Sequence, residues 1–203
     1  MPTEEDSIYI VDDDPAVRDA LSIVLKMEGY AVTEFSSGDE FLTVAKTEIP
    51  SCVILDVHMP GRSGIDILSG LKAEHYPAPI FIISGQGDIP MAVSAVKQGA
   101  FDFIEKPFDA DSVLQRVAEA IKATARMRAQ AESGSSLNFP GVDLLTPREQ
   151  DVLKEISGGA SNKEAGRTLG ISPRTIEVHR ARIMEKLSVR NAAELVRLVL
   201  TGK

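Results

Sequence analysis

The chain is poor in cysteine, in long apolar runs and, over its first 125 residues, in positive charge. Its one cysteine, Cys52, has nothing to pair with, so no disulfide framework holds the fold; the thiol is expected to be a core residue in a reducing compartment. Uninterrupted aliphatic and aromatic runs stop far short of the roughly 20 residues that a membrane helix needs. Glu4, Glu5 and Asp6 stand where a secretory leader would be basic and then apolar. The expectation is a soluble, cytoplasmic protein with no membrane partner.

What is present is a chain of 203 residues, 43% hydrophobic, long enough for one large domain or two small ones. Charge divides it. Residues 1–125 hold 9 Lys and Arg against 21 Asp and Glu, while residues 143–203 hold 11 against 8. That asymmetry points to two domains, the second with nucleic acid as a candidate partner.

In the first part, short apolar runs alternate with helix-period segments. Strands are expected at Ile8 to Val11, Ala31 to Phe35, Val53 to Leu55, Ile80 to Ile83 and Phe101 to Ile104. Helices are expected at Pro15 to Glu28, Gly38 to Ala45, around Ile65 to Leu71, at Ile89 to Lys97 and from Asp111. Five βα units make an α/β fold, a five-stranded parallel sheet with helices on both faces. All strands of such a sheet end on one edge, where open α/β folds bind their ligands. There the first strand ends in Asp12-Asp13, the third in Asp56, the fourth in Ser84 and the fifth in Lys106. Asp14 before Pro15 reads as a helix N-cap. Asp56 alone reads equally as a turn or cap residue. Asp12 and Asp13 have no such account, because crowded carboxylates need a cation, and Mg²⁺ held by a few carboxylates and waters fits.

The motifs VDDDP, LDVHMPG, SG and EKPF, in this order and spacing, resemble the receiver domain of two-component response regulators over nearly all of residues 7–125. GQGDIPMAV and GAFDFIEKPF resemble the FixJ branch. The resemblance implies that Asp56 accepts a phosphoryl group from a sensor histidine kinase. It implies Mg²⁺ on Asp12, Asp13, Asp56 and the His58 backbone carbonyl, with the His58 side chain incidental. Lys106 and Ser84 would meet phosphoryl oxygens, and Lys106-Pro107 would be a cis peptide. Ser84 and Phe103 would form the switch, although plain core packing also accounts for Phe103.

Residues 126–142 are expected to be a helix extension and linker, its ESGSSLNFPGVD stretch rich in Gly, Ser and Pro, with Phe139 able to dock on either domain. Residues 143–203 read as all-helical. Thr146-Pro147-Arg148-Glu149 is close to a capping box, Ser161 and Glu164 form a second pair, and Ser172-Pro173 starts another helix. Asn191 caps the last. Two helices joined at Gly170, the second bearing Arg174, His179, Arg180 and Arg182, read as a helix-turn-helix.

LTPREQDVL, SNKEAGRTLGIS and RTIEVHRARIMEKL resemble the LuxR/FixJ-type four-helix DNA-binding domain. Ala165-Gly166 departs from the larger aliphatic and alanine usual there, which is expected to loosen that helix. Carried over, Glu177, Val178 and Ala181 would face base edges, and Lys163, Arg174, Thr175, Arg180 and Arg182 would meet phosphates. For each arginine a solvated helix face is the plain alternative, and His179 is as readily packed beneath its helix. Leu195 and Val199 would serve domain dimerisation. The implied function is a phosphorylation-switched transcription regulator, not an enzyme, that binds a two-fold operator on double-stranded DNA as a homodimer, with RNA polymerase as a further partner. Two alternatives are a Mg²⁺-dependent phosphohydrolase with Asp56 as its nucleophile and a DNA-binding protein whose receiver is not phosphorylated.

Overall fold

A computed structural model describes residues 6–85, 89–132 and 139–201. Gln86, Gly87 and Asp88 of the GQGDIPMAV motif and positions 133–138 of the expected linker lie outside the described residues. The chain divides into two compact units, Met1–Lys122 and Ala123–Lys203.

The first unit alternates β1 (Ser7–Val11), α1 (Pro15–Met27), β2 (Ala31–Phe35), α2 (Gly38–Val44), β3 (Cys52–Asp56), α3 (Gly64–Leu71), β4 (Ile80–Ser84), α4 (Ile89–Lys97) and β5 (Asp102–Glu105), with α5 (Ala110–Glu132) following. The strands form a five-stranded, all-parallel sheet in the order β2-β1-β3-β4-β5. Every residue of β3 and β4 is buried, as their unbroken apolar runs demand, whereas β2 alternates exposed and half-buried positions as an edge strand. Asp14 caps α1 by accepting from the Ala16 N–H, and Ser63 and Asp66 close a capping box on α3. Phe41, Ile67, Leu68, Leu55 and Ile82 are sealed in the core below 1% exposure, each contributing about 1.5–3 kcal/mol by burial.

The fifth strand starts one residue later than its apolar pattern indicates. Asp102, wholly buried, belongs to the strand because Arg116 of α5 neutralises it and also donates to the Phe103 carbonyl at 2.7 Å. Phe101 precedes the strand and packs its ring 5.4 Å from Phe81.

The second unit contains α6 (Pro147–Ser157), α7 (Asn162–Leu169), α8 (Pro173–Lys186) and α9 (Ala192–Thr201). Thr146 with Glu149 and Ser161 with Glu164 form the two capping boxes. Gly170 ends α7 at φ +68°, a left-handed position that favours glycine. The segment before α6 is tied to it: Val142–Leu144 is a 3-10 turn, and the Gln150 side chain donates to the Val142 and Leu145 carbonyls. Phe139 is buried. Gly166 does not simply loosen α7. A Cβ there would fall 2.6 Å from the Ile171 carbonyl oxygen, so glycine is what lets α7 approach the turn backbone.

Candidate functional site

Strand register brings the acidic edge together. Val11 pairs with Leu55, so Asp12 and Asp56 follow side by side at the ends of β1 and β3. Ser84 pairs with Glu105, which sets Lys106 just past Ser84, and the Lys106 N–H donates to the Ser84 carbonyl at 2.8 Å. The Lys106-Pro107 peptide is cis. Asp12, Asp56 and Ser84 are buried, whereas Asp13 is exposed.

Lys106 holds the two buried acids apart in charge and together in space. Its Nζ donates to Asp12 Oδ2 at 3.0 Å and to Asp56 Oδ1 at 2.7 Å. The remaining oxygens take backbone donors: Asp12 Oδ1 accepts from the Asp14 N–H at 2.9 Å, and Asp56 Oδ2 from the His58 N–H at 2.6 Å. Burial nevertheless pushes the Asp56 carboxyl above its usual range, with Asp12 adding repulsion, against the pull of Lys106. Burial works against the Lys106 ammonium, but its bonds to Asp56 and Asp12 hold its pKa above the ordinary lysine value. A desolvated, more basic carboxylate beside a fixed cation is suited to attack an electrophilic phosphorus.

The metal hypothesis fits the donor set. Carboxylate oxygens of Asp12, Asp13 and Asp56 lie within 4.8 Å of one another, and two of these acids are buried with one cation between them.

Two residues supporting this edge escape a reading of motifs. Arg18 of α1 donates from Nη1 to the Asp12 carbonyl at 2.6 Å. Gly64, first residue of α3, lies so close to the third strand's end that a Cβ would fall 2.5 Å from the Asp56 carbonyl oxygen. A glycine after a Ser cap is the only signal the sequence offers for it. Phe103 is half-buried against the core.

In the second unit, α8 presents Arg174, Glu177 and Ala181 to solvent, with Val178 and Arg180 half-exposed. These lie on one helical stripe, and Lys163 on α7 is exposed as well. Thr175 and Arg182 lie elsewhere. Thr175 is fully buried, its hydroxyl 2.8 Å from the Ser172 hydroxyl, so its side chain is withdrawn from any phosphate. Arg182 turns to Glu149, 3.5 Å away, with its side chain 15% exposed. Glu149 is itself wholly buried; it accepts from Lys186 at 2.7 Å and from the Thr146 N–H at 2.9 Å, tying α6 to α8. His179 lies beneath α8, and burial drives its pKa down to about 3 with nearby Arg148 acting in the same direction. Leu195, expected on a dimer face, is 1% exposed, whereas Val199 is half-exposed.

Comparison with known proteins agrees with both halves. Residues 8–118 match the family described as response regulator receiver domain, and residues 143–199 match the luxR family of bacterial regulatory proteins. The transcriptional regulatory protein FixJ of Bradyrhizobium diazoefficiens is 42% identical over 198 residues, 98% of this chain and 96% of the relative. The response regulator protein TodT of Pseudomonas putida strain F1 is 43% identical over 191 residues, 94% and 84% of the two chains. A crystal structure of full-length FixJ from B. japonicum superposes with a TM-score of 0.58, covering 97% of this chain and 96% of that one at 42% identity.

Proposed function

Since the chain belongs to the two-component response regulators, a FixJ-like transcriptional regulator with a receiver and a LuxR-type DNA-binding domain, we propose that Asp56 is its phosphoacceptor and that phosphorylation drives dimerisation and operator binding. The receiver is assigned to residues 1–125, the helix extension and linker to 126–142 and the DNA-binding domain to 143–203. The family implies a histidine kinase and DNA as partners; RNA polymerase is a further proposed one. Among the described residues no helix is long and apolar enough to cross a membrane, and we place the protein in the cytoplasm.

The observation that carries this reading is Lys106 Nζ bonded to both Asp12 and Asp56 at the buried strand ends. An Asp56 oxygen attacks the phosphorus of a phosphohistidine. The P–N bond breaks, its electron pair stays on the imidazole nitrogen, and an aspartyl phosphate forms. Lys106 follows the developing charge from carboxylate to phosphoryl oxygen. Ser84, at the end of β4, donates its hydroxyl to a second phosphoryl oxygen and draws Phe103 inward. Asp12, Asp13 and Asp56 with the His58 carbonyl would hold Mg²⁺, which when bound neutralises phosphoryl oxygens. In the output unit, Lys163, Arg174 and Arg180 hold phosphates, and Glu177, Val178 and Ala181 face the bases.

Sedimentation with Mg²⁺ and beryllofluoride, alongside Asp56→Asn, tests the switch. The wild type is expected to shift from monomer to dimer and the variant to stay unchanged. Transfer of labelled phosphoryl from a phosphorylated kinase to Asp56→Asn would sink the assignment.

A further inference from the structure

Asn162 opens α7, but its side chain takes no part in capping that helix. Ser161 and Glu164 do that, the Ser161 hydroxyl accepting from the Glu164 N–H and the Glu164 carboxylate from the Ser161 N–H. The Asn162 amide reaches instead across to the exposed stripe of α8. Its Nδ2 donates to Glu177 Oε1 at 3.3 Å, and its Oδ1 accepts from Arg180 Nη1 at 2.7 Å. The amide can face only one way. Flipped, it would set an NH₂ against a guanidinium N–H and a carbonyl oxygen against a carboxylate.

We infer that Asn162 is a positioning residue for operator reading: it fixes the Glu177 carboxylate as a base-reading acceptor and anchors Arg180 beside it. The inference rests on the proposal that Glu177 faces base edges. A lone carboxylate on a DNA-facing helix is repelled by phosphates and has a long, free side chain. Engaging Oε1 with an amide donor restrains that side chain and leaves Oε2 to accept from a cytosine N4 amino group, the pairing a carboxylate makes in the major groove. The charge-assisted bond to Arg180 restrains a guanidinium half-exposed on the same helix. One amide therefore links a group that reads sequence with a group that holds register.

Asn162→Asp and Asn162→Ala separate these two roles. Asp retains the acceptor for Arg180 but sets a second carboxylate against Glu177; Ala removes both bonds while suiting a helix. The full chain, activated with beryllofluoride, is presented with duplex oligonucleotides carrying randomised half-sites at a fixed spacing. Recovered sequences and salt-dependent affinities are compared with Glu177→Ala. The wild type is expected to prefer cytosine at one position per half-site by about tenfold. Asn162→Asp is expected to bring that preference near parity with the wild-type salt slope. Asn162→Ala is expected to lose it too, and to lower the slope by about one per half-site. If Glu177→Ala erases the preference and Asn162→Asp keeps it, the positioning role is wrong. If Glu177→Ala itself keeps it, Glu177 does not read that base, and the underlying proposal falls with the inference.

Discussion

Asp56 carries a charge that its surroundings resist. Its carboxyl is held above the ordinary range chiefly by burial, so the folded state binds that proton more tightly than the unfolded chain does. A group shifted in this sense favours folding fully below the unfolded pKa and loses that contribution as pH rises through the folded one. Asp56→Asn is therefore expected to raise the Tm of the receiver at neutral pH, with the difference vanishing at acid pH. Thermal melts of both proteins across that range check it; an equal or lower Tm for the variant at neutral pH would mean that the Lys106 bond outweighs burial. The convergence of Asp12, Asp13, Asp56 and Lys106 is legible in the sequence because a parallel sheet sends all strand ends to one edge. The supports are not. Arg18 meets a backbone carbonyl, Gly64 acts through an atom it lacks, and Asn162 works across a helix pair, so none of them has a spacing rule to give it away.

At the scale of elements, two of the three acids on α6, Glu149 and Asp151, have opposite fates. Burial alone would raise Glu149, but Lys186, the Thr146 N–H and Arg182 bring it below the ordinary glutamate value. Its contribution is present above the unfolded pKa and lost as pH falls through the folded one. Asp151 is pushed by burial up to about 6, against the pull of Arg148, and its Oδ2 has no hydrogen-bond partner among the described residues. Its contribution is complete below about pH 4 and lost as pH rises through about 6. Glu149→Gln is thus expected to cost about 3 kcal/mol at neutral pH, because Lys186 and Arg182 lose a buried partner. Asp151→Asn is expected to stabilise the same unit by up to about 3 kcal/mol at neutral pH and by nothing below about pH 4. Urea unfolding of residues in this unit, followed at both pH values, separates the two. The helices themselves are legible from their Thr146, Ser161 and Ser172 caps. The Glu149 bond to α8 is not, since the capping box already explains why a glutamate stands there; for the same reason Arg182 reads as a phosphate contact until its partner is seen.

For the whole molecule, a net charge of −8 must coexist with binding to a polyanion. Total charge decides little at physiological salt, because charges beyond about 8 Å are screened. What counts is how many cations reach phosphates. The structure leaves Lys163, Arg174 and Arg180 on or beside the exposed stripe of α8 proposed to face DNA and pairs Arg182 with Glu149. Each neutralised phosphate contributes about −0.9 to the slope of log K against log salt concentration. One protomer on one half-site is then expected to show a slope of about −3, and a dimer on paired half-sites about −5. Arg174→Ala is expected to lower the magnitude by about one per protomer, hence by about two in the dimer. Titrating the activated protein onto single and paired half-sites over a range of salt gives both the contact count and the stoichiometry. A slope near −3 on paired sites would show that phosphorylation frees one DNA-binding domain without joining two. A slope well beyond −5 would place further cations on the backbone, with Arg182 the first candidate, since its place on α8 is beside the exposed stripe and its pairing with Glu149 would have to give way.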